Sequence, residues 1–177
     1  MKRLFLALAA GGLLLGACGD DGSASLSGEE QKLADKISAS LLADTQGSIT
    51  LTQGEADCVG AGMVSKIGAD RLSEVDFDQP DPAFDLSADE AGKAADVVID
   101  CVDLTGALAK EFTESTGISE ESAKCLAGKF DDKTLKTLFT DVFQGNDPEQ
   151  SGAFVCIVTE GLTDCLTDEE LVNFGSN

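Results

Sequence analysis

From Ser27 onward, apolar residues recur at the three- and four-residue spacing of helices that each bury one stripe. Leu33, Ile37 and Leu41 form one stripe, Val59, Met63 and Ile67 a second, and Ala91, Ala94, Val98 and Val102 a third. Leu135, Leu138, Phe139 and Val142 continue the pattern, as do Phe154, Val158 and Leu162. Start signals stand in front of these stripes. Ser27-Gly28-Glu29-Glu30, Thr52-Gln53-Gly54-Glu55, Ser87-Ala88-Asp89-Glu90 and Thr167-Asp168-Glu169-Glu170 each spell a capping box. In such a box a hydroxyl accepts from the backbone three residues on, while the Glu side chain reaches back to the first N–H. Asp147-Pro148-Glu149-Gln150 marks a fifth start, with Pro where a missing N–H costs nothing. Gly68, Gly117, Gly145 and Gly175 stand where helices should end, and the sustained loop runs from Asp76 to Asp85 through Pro80 and Pro82. The pattern predicts an all-α bundle.

The chain also resembles itself at an offset of 67 residues, which matches Leu51, Ala56, Cys58 and Val59 to Ile118, Ala123, Cys125 and Leu126. The same offset aligns Ile37 with Leu104, Leu41 with Leu108, Lys66 with Lys133 and Leu72 with Phe139. Asp100-Cys101-Val102 matches Asp164-Cys165-Leu166 at offset 64. Two similar helical units, about 29–102 and 103–177, are therefore expected within one helical domain.

The first residues belong to neither unit. Lys2 and Arg3 precede an uncharged, Leu- and Ala-rich run from Leu4 to Ala17, the layout of a secretory signal. That run is too short to cross about 30 Å of hydrocarbon as a helix. It ends in Leu15-Gly16-Ala17-Cys18, followed by the polar Gly19-Asp20-Asp21-Gly22. These residues resemble the lipobox of bacterial lipoproteins, with Gly16 where Ala or Ser is commoner. The resemblance implies diacylglycerol transfer to Cys18, cleavage before it, and a mature protein held outside the cell membrane by acyl chains. Residues 1–17 then form the signal, 18–28 a flexible tether, and 29–177 the helical domain.

The repeated segments Leu51-Thr52-x-x-Glu55-Ala56-x-Cys58 and Ile118-Ser119-Glu120-Glu121-x-Ala123-x-Cys125, each followed by a later Cys-bearing helix, are similar to a pattern in secreted actinobacterial proteins of uncharacterised function. The resemblance covers most of residues 49–170 and implies no activity.

Export makes disulfides the natural state of Cys58, Cys101, Cys125, Cys156 and Cys165. Cys58 lies about two turns into its helix and Cys101 at the end of a later one, so antiparallel neighbours would bring them level; Cys125 and Cys165 hold corresponding places. The preferred pairing is Cys58 to Cys101 and Cys125 to Cys165. Cys58 to Cys125, which needs parallel neighbours, is the second choice. Each closed loop of about 40 residues is worth about 3–4 kcal/mol. Cys156 has no counterpart in the first unit and, nine residues before Cys165, faces half a turn away on a continuous helix. It reads either as a buried thiol or as a free or intermolecular one.

Composition narrows the function. The 177 residues carry 12 Lys plus Arg against 33 Asp plus Glu, a formal charge of -21, with no His, Tyr or Trp. Cleavage before Cys18 removes Lys2 and Arg3 and no acid, leaving 10 basic residues against the same 33, or -23. Such a charge excludes nucleic acid as a partner. Without His there is no Ser-His or Cys-His catalysis and no imidazole metal ligand, and no Gly-rich phosphate loop occurs. Asp76, Asp78, Asp81 and Asp85 are the candidate cation ligands, but an EF-hand read from Asp76 has Pro80 fifth, Asp81 sixth and Ser87 twelfth. No cofactor and no catalytic residue is expected. The chain reads as a lipid-anchored, non-enzymatic interaction or structural module, whose partners are the membrane through its anchor and an unidentified protein. The alternative is a binding protein for a small apolar ligand or a divalent cation.

Overall fold

A computed structural model describes residues 26–43, 50–79, 84–146 and 152–174, with the backbone alone at 152–156, 158, 173 and 174. The signal segment, Cys18, Pro80, Asp81, Pro82, the Pro148 start and Gly175 lie outside the described residues, as do the side chains of Phe154, Cys156 and Val158. The described residues form nine helices and no strand: α1 (Gly28–Ala43), α2 (Gln53–Ile67), α3 (Ala69–Leu72), α4 (Ala88–Cys101), α5 (Leu104–Thr116), α6 (Glu120–Ala127), α7 (Asp132–Phe143), α8 (Gly152–Cys165) and α9 (Asp168–Phe174). None of the described helices is long and apolar enough to cross a membrane.

All four predicted capping boxes are made. At Thr52, the Glu55 N–H donates to the hydroxyl (3.3 Å) and the Thr52 N–H donates to the Glu55 carboxylate (2.8 Å). Ser27 with Glu30, Ser87 with Glu90 and Thr167 with Glu170 repeat the arrangement. Asp103 and Asp131 cap α5 and α7 by accepting from Gly106 and Thr134. Gly68 and Gly117 end α2 and α5 with φ of 100° and 71°, backbone that a side chain would strain.

The main core lies between α1, α2, α4 and α7. Ile37, Val59, Met63, Val64, Leu72, Ala91, Ala94, Val97, Leu135 and Leu138 all bury in it. A second, smaller cluster of Ile118, Ala123, Leu126 and Leu166 joins α6 to α8 and α9, and Phe112 of α5 touches both clusters. Leu26 already packs against the main core before α1 begins.

Two helix faces differ in detail from their expected stripes. On α4, Val97 is the buried valine and Val98 is half-buried, because Val97 packs on the α2 backbone at Gly62. On α7, Val142 is 42% exposed and Phe143 is buried instead. Phe143 takes that place through an edge-to-face contact with Phe84 (centroids 5.2 Å) and through its carbonyl, which accepts from the Leu86 N–H.

The units correspond where the sequence aligned them and diverge between. α2 and α6 begin at the matched residues Gln53 and Glu120, while α4 and α8, fourteen residues each, match end to end at offset 64. α2, however, runs unbroken to Ile67, whereas α6 stops at Ala127 and α7 begins anew at Asp132. The cause is local: buried Val64 has Asp131 as its counterpart, and Asp131 caps a new helix.

The seams between paired helices also match with large and small residues exchanged. Gly62 of α2 faces Val97 of α4, and a Cβ on Gly62 would lie 2.6 Å from Val97 Cγ1. In the second unit the glycine is Gly161 on α8, at the place of Val97, and its neighbours are Leu126 and the stem of Lys129, the counterpart of Gly62.

Candidate functional site

Four of the residues singled out for chemistry meet at two cysteine junctions. Cys58 bonds to Cys101 with Cα atoms 5.6 Å apart, and Cys125 bonds to Cys165 at 5.5 Å. This is the preferred pairing, and the reason is positional. Each first cysteine is the sixth residue of its helix and each second cysteine the last residue of an antiparallel neighbour, so both Cα pairs fall within disulfide reach. Cys58 and Cys125 are exposed, and Cys101 and Cys165 half-buried.

Beside each disulfide, one carboxylate holds two helix starts. In the first unit it is Glu55, at the third position of α2. One oxygen accepts from the Thr52 N–H and hydroxyl, and the other accepts from the Asp103 N–H at the start of α5 (3.2 Å). In the second unit Ser122 stands at the matched position, and the carboxylate comes from the other side. Glu170, third residue of α9, accepts from its own cap Thr167 (3.0 Å), from the Ser119 N–H at the start of α6 (2.8 Å) and from the Ser122 hydroxyl (2.9 Å). Two positive helix ends thus share one negative group in each unit. Donation by the Ser119 N–H, then by Thr167 and Ser122, holds the Glu170 carboxyl at about 2, far below its ordinary 4.5. The Thr52 hydroxyl, with the Thr52 and Asp103 N–H groups, lowers Glu55 in the same direction. Two signals for this arrangement were present in sequence, Glu55 and Glu170 in their capping boxes; the reach of each to a second helix was not legible there.

Other candidates do not assemble. Asp76 accepts from the Asp78 N–H and from Gln79, while Asp78 pairs with Lys36 at 2.9 Å. At Asp85, the backbone carbonyl accepts from Arg71. Among the described residues no three acidic or cysteine side chains gather as a metal site.

A groove of about 390 Å³ runs between α5 and α6, lined by Thr105, Gly106, Ala109, Thr113, Glu120 and Lys124 among others. Its counterpart in the first unit is closed. There Ser38, Gln53 and Asp57, matched to Thr105, Glu120 and Lys124, are joined by bonds from Ser38 to Asp57 (2.6 Å) and from Gln53 to Asp57 (2.8 Å). The change of Asp57 to Lys124 removes the acceptor that ties the seam, and Lys124 turns to Glu120 on its own helix (3.5 Å).

No protein-family model matches the chain. No curated protein matches it, and no solved structure does either. Exposed carboxylates cap helices, as Glu55 and Glu170 do, and form ion pairs such as Asp89 with Lys93 and Asp164 with Lys129. What the junctions accomplish is rigidity: disulfide, shared carboxylate and buried apolar residue (Val102 or Leu166) lock three helix termini together.

Proposed function

We propose that this protein is a lipoprotein of an extracytoplasmic membrane face, anchored through acyl chains on Cys18, whose helical body serves as a non-enzymatic interaction or structural module. The observation that carries this reading is the pair of intramolecular disulfides with exposed cysteines, a state that persists in oxidising compartments and not in a reducing cytosol. The Leu15-Gly16-Ala17-Cys18 run supports it, because an apolar export segment ending in such a Cys and leading into a Gly-Asp-Ser stretch is what lipidation requires. The charge of -23 left after cleavage, 10 basic residues against 33 acidic, supports a body that stands off anionic head groups on its tether. The α5–α6 groove, with Lys110, Glu114, Glu120 and Lys124 at its rim, is the recess offered to a partner's side chains.

The test is metabolic labelling with a clickable fatty acid, followed by detergent phase partitioning. The wild-type chain should take up label and enter the detergent phase, and Cys18→Ser should do neither. An unlabelled wild-type chain, or label retained by Cys18→Ser, would overturn the anchor. The non-enzymatic part fails if the purified body turns over any substrate in a broad hydrolase screen and a single Asp or Glu substitution abolishes that turnover.

A further inference from the structure

The α5–α6 groove is open because of what the second unit puts into that seam. Ala109 stands where the first unit has Leu42, and Lys124 where it has the tying Asp57. Gly106, Ala109 and Thr113 line the groove on the α5 side, and the Thr113 hydroxyl already donates to the Ala109 carbonyl of its own helix (2.9 Å). The recess is therefore mainly apolar, and its 390 Å³ falls in the range of small-ligand sites. Its rim is charged. Lys110 pairs with Glu114 at 4.0 Å and Lys124 with Glu120 at 3.5 Å, each along its own helix, and all four side chains are at least 64% exposed. Exposed pairs at this spacing are weak, so either glutamate can exchange its lysine for a better donor. A third carboxylate, Asp103, lies against the bare Cα of Gly106, where a Cβ would collide with its Oδ2.

We propose that this groove docks an arginine-bearing basic segment of a partner protein, an inference that rests on the reading of the body as an interaction module and names the chemistry of its partner. Arginine stems lie along Ala109 and Thr113, and their guanidinium groups take Glu114 and Glu120 from Lys110 and Lys124. Charge complementarity carries the choice of occupant. Three acids and two bases surround the recess, in a chain of 33 acidic and 12 basic residues, so both the local and the overall field favour a cation. An apolar recess with carboxylates at its rim suits a side chain with a long apolar stem and a cationic head. Arginine fits better than lysine, because its planar head makes two bonds to a carboxylate where an ammonium makes a point contact. An acidic segment would meet Asp103, Glu114 and Glu120. The first unit offers no such place, since Ser38 and Gln53 both donate to Asp57 across its seam.

The experiment uses the full mature chain in neutral detergent at about 0.15 M salt, where diffuse attraction between exposed charges is screened. The probes are three fluorescent Ala/Gly octapeptides that differ at two positions. One carries Arg, one carries 2-amino-3-guanidinopropionic acid, the same guanidinium on a single methylene, and one carries Glu. Fluorescence anisotropy reads affinity, and amide shifts in nuclear magnetic resonance read the place. The Arg peptide should bind at least about tenfold tighter than either of the others, because only its stems bury methylenes, and it should shift the Gly106, Ala109 and Lys124 amides. Glu114→Gln with Glu120→Gln should weaken it about tenfold. Glu29→Gln with Asp70→Asn, the same change of charge outside the groove, should change it less than about twofold. Ala109→Leu, which restores the first unit's residue, should abolish binding; the exposed Gln pair decides the matter if that variant does not fold. Equal binding of the two guanidinium peptides, tighter binding of the Glu peptide, shifts confined to other helices, equal weakening by the two double variants, or no binding at all would each overturn the groove. None of these results touches the acyl anchor or the absence of turnover, which labelling at Cys18 and the hydrolase screen read separately.

Discussion

Replacing Gly62 with Ala tests the close seam between α2 and α4. On an exposed helix face this change stabilises by about 1 kcal/mol, because Ala is the better helix former. Here the added Cβ lies 2.6 Å from Val97 Cγ1 and 3.2 Å from its Cγ2. Val97 is 4% exposed and β-branched, so it has one favoured rotamer in a helix and no room to leave it. Nor can α2 slide away, since Cys58, one turn earlier, is bonded to Cys101. Overpacking of this kind costs about 1–3 kcal/mol, so Gly62→Ala should lose up to about 2 kcal/mol net. Val97→Ala alone removes two buried methyl groups and should cost about 2 kcal/mol. In the double variant the new methyl occupies the vacated space, so the sum of the single losses should exceed the double loss by about 1–2 kcal/mol. Far-ultraviolet circular dichroism through thermal unfolding, without reductant, measures all four proteins; each kcal/mol is about 2–4 °C at this size. A cycle additive within about 0.5 kcal/mol, or a Gly62→Ala protein more stable than wild type, would refute the tight seam.

Glu170 is held at about 2 in the folded state against an ordinary 4.5, so its stabilisation is complete above pH 4.5 and is lost as pH falls through 2. Glu170→Gln should flatten the fall of melting temperature between those values, and parallel wild-type and variant profiles would contradict the shared-carboxylate geometry. Phe143→Ala should cost about 3–5 kcal/mol and Val142→Ala within about 0.5 kcal/mol, since Phe143 is buried and Val142 is 42% exposed. Equal losses, read by denaturant unfolding, would return α7 to the rotation its sequence suggested.

Much of this fold was legible because its signals are local. A capping box needs residues three apart, a helical stripe needs residues three or four apart, and both can be read along the chain. The disulfide pairing was legible because Cys58 and Cys101 stand at fixed distances from readable helix ends. What was not legible depends on neighbours far along the chain. Val142 and Phe143 are adjacent, and the choice between them is made by Phe84, some sixty residues earlier. The second bond of Glu55 goes to Asp103 and that of Glu170 to Ser119, donors that no local spacing points to. Cys156 sits on no such local signal: its counterpart is Gly92, and periodicity gives it only a direction on α8.

The exchanged seams also bear on how the chain finds its own partners while folding. Two related units in one polypeptide invite confusion, with α2 docking on α8 or α6 on α4. In the first error Gly62 would meet Gly161 and leave a gap, while Glu55 would arrive beside Glu170 and two carboxylates would compete for one set of donors. In the second, the Lys129 stem would be driven into Val97, and neither Ser122 nor the start of α5 would bring a glutamate to join them. Each unit is keyed to itself by size and by charge at once. Between copies the same keys leave one exchange matched, like for like, with α2 of one molecule on α4 of another and not on α8.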